Sequence, residues 1–328
     1  MANPGEFEII EKYFAPLSGD GSFSLKDDAA VVEHQPGCML VITQDAVAEG
    51  IHFFGTDQPA HIAQKALRVN LSDLAAKGAT PKCFSLALGL GNDWDEAWVE
   101  NFANGLEEDC GRYGITLNGG DTFKTGTRFV VSITAFGDVP TGKYVSRLGA
   151  RPGDAIFVTG TIGDGALGLL ARQDKLPGLE ADHKEYLTRR YLLPDPRIEI
   201  RELVREFASA AMDVSDGLVG DLAKLCAASH VSANINADKI PYSDATNAVL
   251  QDESKHVETA LTGGDDYEIL FSVPKLKLDE FEKMLPDLDL NVTRVGSIHE
   301  GSEVTVFDRD GAVIEFEKTS YDHSEMKQ

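Results

Sequence analysis

Six short segments set aspartate beside glycine, serine or threonine: Lys26-Asp27-Asp28, Thr43-Gln44-Asp45, Leu71-Ser72-Asp73, Gly119-Gly120-Asp121-Thr122, Asp213-Val214-Ser215-Asp216-Gly217 and Gly263-Gly264-Asp265-Asp266. Several adjoin apolar runs such as Met39-Leu40-Val41-Ile42 and Ala210-Ala211-Met212, which places them, as an expectation, at the ends of strands. Carboxylates and hydroxyls are hard oxygen ligands. They suit Mg²⁺, which keeps part of its water and is shared between a few carboxylates and the phosphates of a substrate. The chemistry suggested is that of a nucleotide-using, phosphate-handling enzyme. Taken singly, each Asp-Gly pair reads at least as well as a turn or a helix cap; six of them in one chain shift the balance.

Each segment has its own pair of readings. Gly119 and Gly120 offer backbone N–H groups that approach phosphates closely, with Asp121 alongside for a metal ion; a plain turn is the alternative. Asp73 lies in an amphipathic helical pattern among small and apolar neighbours, so it needs a cation: Lys77 or Arg68 in one reading, Mg²⁺ in the other. Asp213 and Asp216 flank Ser215 before a helix, as caps, as metal ligands or as both. Arg147 stands in the basic stretch Lys143-Tyr144-Val145-Ser146-Arg147 and could hold a phosphate bidentately, although linker arginines are usually solvated. His52 has no second histidine at ligand spacing, so a structural hydrogen bond is its default and substrate contact the second reading. Gly163-Asp164-Gly165-Ala166-Leu167-Gly168 matches a dinucleotide fingerprint, but residues 175–190 read as loop plus helix where a second strand closing on an acid is required. Tight packing of a helix on a strand explains it better. No P-loop is present.

The elements that must position these residues come from periodicity. Helices are expected over 7–14, 60–77, 95–113, 163–172, 184–191, 195–207 and 218–229, and strands over 38–43, 84–90, 115–117, 129–136, 155–159, 231–235, 267–273, 291–297 and 303–307. The fold class is α/β (α+β). A Pro/Gly-rich passage over 137–154 separates a first domain, residues 1–140, from a second, residues 150–328.

With 328 residues and 42% hydrophobic content the chain can build two cores. Its 54 acidic against 30 basic residues give a formal charge of −24, which disfavours nucleic acid and anionic membranes as partners. For phosphate substrates that charge is a handicap, which divalent cations reverse locally. No apolar stretch approaches the length of a membrane span, and the start Met1-Ala2-Asn3-Pro4-Gly5-Glu6 lacks the parts of a signal peptide, so a cytoplasmic protein is expected. Cys38, Cys83, Cys110 and Cys226 show no metal or disulfide spacing and are expected to be buried thiols.

In order and spacing the set Lys26-Asp27-Asp28-Ala29-Ala30, Thr43-Gln44-Asp45 with Glu49-Gly50-Ile51-His52-Phe53, Asn70 to Ala76, Gly119-Gly120-Asp121-Thr122, Asp213 to Leu218 and Gly263-Gly264-Asp265-Asp266-Tyr267-Glu268 resembles the thiamine-monophosphate kinase family. That family belongs with aminoimidazole ribonucleotide synthetase and selenophosphate synthetase. The resemblance implies a two-domain fold whose N-terminal domain pairs with its copy in a homodimer to close a β-barrel. It implies ATP-dependent phosphorylation of thiamine monophosphate to thiamine diphosphate. It places Asp28, Thr43, Gln44, Asp45, Asp73, Asp121, Asp213 and Asp216 on Mg²⁺ positions, Gly120, Asp121, Arg147 and Ser215 on ATP contacts, and His52, Asp265 and Tyr321 on substrate contacts. Asp45, Asp73, Asp121 and Arg147 are the residues expected to carry catalysis. Three departures are Lys26 where the family usually has glycine, Asp265 where it usually has glutamate, and Ser320-Tyr321-Asp322-His323-Ser324 in place of its usual ending. The rival readings are another ATP-using enzyme of the same superfamily, such as a purine-precursor ligase, and a non-catalytic acidic metal-binding protein.

Overall fold

The computed structural model describes residues 4–33, 35–252 and 256–320. The chain divides into two compact units, Met1–Leu74 with Ala79–Gly142, and Ala75–Gly78 with Lys143–Gln328.

The first unit runs through α1 (Glu6–Ile9), β1 (Cys38–Ala48), α2 (Pro59–Ala76), β2 (Thr80–Leu90), α3 (Glu96–Tyr113), β3 (Thr116–Lys124) and β4 (Val130–Pro140). Only the first turn of the helix expected over 7–14 is α-helical; Ile10–Phe14 continues it as a π-helical turn. α3 starts where Asp95 accepts the Trp98 N–H at 2.8 Å and stops at Gly114, whose φ of +64° suits glycine. Four strands form a sheet in the order β1-β4-β2-β3, with β2 and β3 parallel and the other pairs antiparallel. α3 lies close on α2, because a Cβ on Gly105 would come within 2.4 Å of the Ala60 carbonyl oxygen. The Arg68 guanidinium joins the same two helices through two bonds to Asp109, 2.7 and 2.8 Å long, and both side chains are buried. On the opposite face of the sheet β1 leaves Leu40 and Ile42 exposed, Ile42 by 59%.

The second unit contains β5 (Ala155–Thr159), α4 (Asp164–Arg172), α5 (Ala181–Leu192), α6 (Arg201–Phe207), β6 (Ala210–Asp213), α7 (Leu218–Ser229), β7 (Ser232–Asn236), α8 (Asp244–Asp252), α9 (His256–Thr262), β8 (Ile269–Val273), α10 (Lys275–Met284), β9 (Val292–His299) and β10 (Val304–Phe307). Its six strands are ordered β10-β7-β9-β5-β8-β6 and are antiparallel except for β10 with β7. The two-residue repeat of a strand feeds two cores: Ile156 and Val158 pack with Leu218 and Leu222 of α7, while Ala155 and Phe157 pack with Phe207, Phe271 and Phe281. Phe281 meets Phe157 edge-on at 4.9 Å. Among the described residues no helix is long and apolar enough to cross a membrane.

The α/β class expected from periodicity is the one found. Further expectations about elements are corrected. The helix over 195–207 begins only after a 3-10 turn at Ile198–Ile200, since Pro194 and Pro196 break its start. The strand expected to stop at 117 runs on to Lys124, because a bulge at Asn118 keeps the glycine pair in the ladder. Cys83 and Cys226 are buried as expected, but Cys38 and Cys110 are only half-buried.

Candidate active site

In the first unit a cavity of about 330 Å³ is lined by Asp27, Asp28, Ser85, Asn118, Gly119, Gly120, Asp121 and Thr122, together with apolar residues that include Phe14 and Phe136. β3 supplies one wall. Leu117 pairs with Phe84 and Gly119 with Ser85, so Asn118 is the extra residue of a bulge. At Gly120 a Cβ would stand 1.9 Å from the Leu86 carbonyl oxygen, so only glycine lets the strand lie this close to β2. The expected turn is therefore a bulged strand, and Asp121 sits inside β3, not at its end.

The segment bearing Asp27 and Asp28 forms another wall. Phe23, Ser24 and Leu25 have successive φ values of +52°, +57° and +56°, a left-handed turn that non-glycine residues rarely adopt. Lys26 itself has φ −105°, so replacing the usual glycine there causes no backbone strain. The Asp27 carboxylate accepts the Asp28 N–H at 2.7 Å.

Thr43, Gln44 and Asp45 also lie within a strand, since β1 extends to Ala48. The Thr43 hydroxyl bonds the Asp73 carboxylate, and the Asp45 N–H donates to Asn70 Oδ1 at 3.1 Å, so both face α2. Gln44 points to the other face and bonds Ser132 at 3.3 Å. Asp45 and Asp121 stand on β1 and β3, the two edge strands of the sheet. Thr43, Asp45 and Asp73 lie beside α2, and Asp27, Asp28 and Asp121 line the cavity. Of the two cations offered for Asp73 in the sequence, Arg68 is committed to Asp109. Among the described residues no three His, Cys, Asp or Glu side chains converge enough to hold a metal alone. Mg²⁺ rarely needs such a cage, because one or two carboxylates with substrate phosphates and water complete its shell.

His52 closes the loop after β1: its Nδ1 accepts the Ala48 N–H at 3.1 Å, and buried Lys65 donates to its carbonyl at 3.0 Å. These bonds are the structural role weighed for it in the sequence.

In the second unit Asp213 ends β6 and is buried. Ladder bonds continue beyond the strands: Val214 N–H donates to Glu268 O, Asp265 N–H to Ser215 O and Tyr267 N–H to Val214 O, at 2.8 to 2.9 Å. The segments 213–217 and 263–268, distant in sequence, are therefore neighbours. The residue at the cap position of α7 is Gly217, and Asp221 in the helix's first turn reaches back to accept the Ser215 and Asp216 N–H groups at 2.9 and 2.8 Å. Burial pushes the Asp221 carboxyl up, and Lys224 opposes this by bridging Asp221 at 2.8 Å and Asp216 at 2.5 Å. Arg147 is exposed, and its carbonyl accepts from Ser229. Tyr321 lies outside the described residues.

The glycine fingerprint at the start of α4 is filled from within. Asp266 accepts the Gly163 and Gly165 N–H groups, where a dinucleotide phosphate would sit. Burial pushes its carboxyl well above the usual range, against the pull of those two donors. Nothing in the spacing singled out Asp221 or Lys224; Asp266 and Glu268 stood inside a candidate segment, but their partners come from distant segments.

The family model described as AIR synthase related protein, N-terminal domain, matches residues 26–139, and the one for the C-terminal domain matches residues 151–309. The thiamine-monophosphate kinase of Escherichia coli K12 is 39% identical over 322 residues, 97% of this chain and 98% of the relative. A crystal structure of thiamine-monophosphate kinase from Stenotrophomonas maltophilia K279a matches with a TM-score of 0.80 and 38% identity, covering 88% of this chain and 91% of the other. AaThiL complexed with AMPPCP and TMP matches with a TM-score of 0.78 and 33% identity over 97% of both chains.

Proposed function

This chain belongs to the thiamine-monophosphate kinase family of AIR synthase related proteins, and from that premise we propose how it transfers the terminal phosphoryl group of ATP to thiamine monophosphate, giving thiamine diphosphate and ADP. The observation that carries the reading onto particular residues is the cavity where the Gly119-Gly120 backbone, Asp121 and the Asp27-Asp28 pair meet.

The acceptor is an ionised phosphate, so no general base is required. The difficulty is to bring two polyanions together on a chain whose formal charge is −24. Catalysis is then positioning and charge neutralisation along an in-line path. Oxygen donors alone occupy the metal positions, which fits Mg²⁺: Asp28 and Asp121 at the cavity, Thr43, Gln44, Asp45 and Asp73 on β1 and α2, and Asp213 and Asp216 after β6. Bound there, Mg²⁺ would neutralise phosphate oxygens and lower the repulsion between donor and acceptor. The Gly120 backbone, Ser215 and Arg147 are assigned to ATP, the guanidinium adding fixed positive charge. His52, Asp265 and Tyr321 are assigned to thiamine monophosphate. Asp265 is one methylene shorter than the family's usual glutamate, so a water is expected to fill the difference.

Incubating the protein with ATP, Mg²⁺ and thiamine monophosphate should yield ADP and thiamine diphosphate one for one. Excess EDTA should abolish the reaction and added Mg²⁺ restore it. ATP consumption only with a purine precursor would favour a ligase, and no Mg²⁺-dependent ATP binding at all would favour a non-catalytic protein.

The exposed Leu40 and Ile42 on the open sheet face support a homodimer built on β1. Ile42→Lys is expected to shift the protein from dimer to monomer in light scattering, and a wild-type mass for this variant would exclude that face.

A further inference from the structure

Asp265, assigned to thiamine monophosphate, is followed in the chain by a buried aspartate. Asp266 is 1% exposed, and its carboxylate oxygens accept from Gly163 N–H at 2.7 Å and Gly165 N–H at 2.9 Å. The start of α4 and the peptide of Asp265 are in contact, since a Cβ on Gly165 would lie 2.3 Å from both the carbonyl carbon and the carbonyl oxygen of Asp265.

The loop is gripped from two more sides. Arg190 Nη2 donates to the Asp266 carbonyl at 3.3 Å and to Glu268 at 2.9 Å, and Arg197 adds two bonds to Glu268 at 2.7 and 2.5 Å. Opposite them, the Asp265 and Tyr267 N–H groups are tied to Ser215 and Val214. Between these anchors Asp265 and Tyr267 adopt φ of +71° and +53°, a region that favours glycine. Such a backbone persists only where its surroundings impose it. Asp266 sits between the two left-handed residues, and its side chain is the link from this turn to the start of α4.

We propose that Asp266 is a positioning residue for phosphoryl transfer: by holding the Gly163 and Gly165 amides it fixes the left-handed backbone that presents Asp265 to thiamine monophosphate. The inference rests on the reading that Asp265 meets that substrate. In Asp266→Asn the shape is kept, but an amide NH₂ faces one of the two N–H donors and that bond is lost. Gly165→Ala presses a Cβ into the Asp265 peptide and so displaces the same loop without changing any carboxylate.

The test compares Asp266→Asn, Gly165→Ala and Asp265→Ala by steady-state kinetics in both substrates, with thermal denaturation as a folding control. The expected result is a rise of about tenfold or more in KM for thiamine monophosphate in all three variants, with KM for ATP changed by less than about twofold. If Asp265→Ala weakens thiamine monophosphate while Asp266→Asn and Gly165→Ala do not, the inference fails and the assignment of Asp265 stands. If Asp265→Ala leaves that KM unchanged, the assignment falls and the inference with it. A lower melting temperature with both KM values rising together would show a merely structural role and also overturn it. Should Asp266→Asn not fold, Gly165→Ala decides alone.

Discussion

Asp121→Asn is expected to lower kcat by about a thousandfold or more, equivalent to roughly 4 kcal/mol of lost transition-state stabilisation, while far-UV circular dichroism and melting temperature stay near wild type. The asparagine keeps the shape of the side chain and removes only its charge. Asp121 is exposed on β3 beside Gly120, where the backbone lies too close to Leu86 to admit any side chain. A carboxylate so placed can bind a metal-bridged phosphate, and its loss leaves repulsion between two anionic substrates unopposed at that point. Folding is spared because this side chain is not part of a core. Single-turnover kinetics with varied Mg²⁺ provide the measurement. A variant with wild-type turnover would remove Asp121 from the mechanism.

Asp109→Ala is expected to cost about 3–5 kcal/mol of stability, because it takes the bidentate partner from a guanidinium held between α2 and α3. The Arg68 side chain is only 5% exposed, so water cannot replace the carboxylate without opening the helix pair. Gln64 also loses its bond to the same carboxylate. The melting temperature should fall by roughly 10 °C. Arg68→Met combined with Asp109→Leu should recover most of that loss, since replacing both charges with apolar groups of similar size removes the desolvation penalty. If the single variant melts within a degree or so of wild type, the pair contributes nothing to the packing of the two helices.

How much of this was legible in the sequence depended on whether the signal was local. β5 and α7 were readable to the residue, since the continuous apolar run Ala155–Thr159 and the helical spacing through Leu218–Ser229 are complete within one segment. α10 was missed because its face is mostly charged and only Phe281 is fully buried. β3 was cut short because glycine pairs usually punctuate, whereas here a bulge accommodates them. The aspartates were conspicuous, but their grouping was not. Strand order puts Asp45 and Asp121 on opposite edges of the sheet, and spacing along the chain carries no information about that. Likewise the fingerprint at Gly163 gave no hint that Asp266, from a segment far along the chain, occupies it.

β1 is the first strand of its sheet to be synthesised, yet it pairs only with β4, the last, from Cys38 opposite Pro140 to Ala48 opposite Val130. During translation it must therefore wait for the whole first unit to leave the ribosome, with Val41 and Val47, which the folded unit buries, unprotected and an unpaired edge on offer. Non-local pairing of this kind slows folding. The nascent chain is thus most open to chaperone capture, or to misassembly with another nascent copy, during that interval.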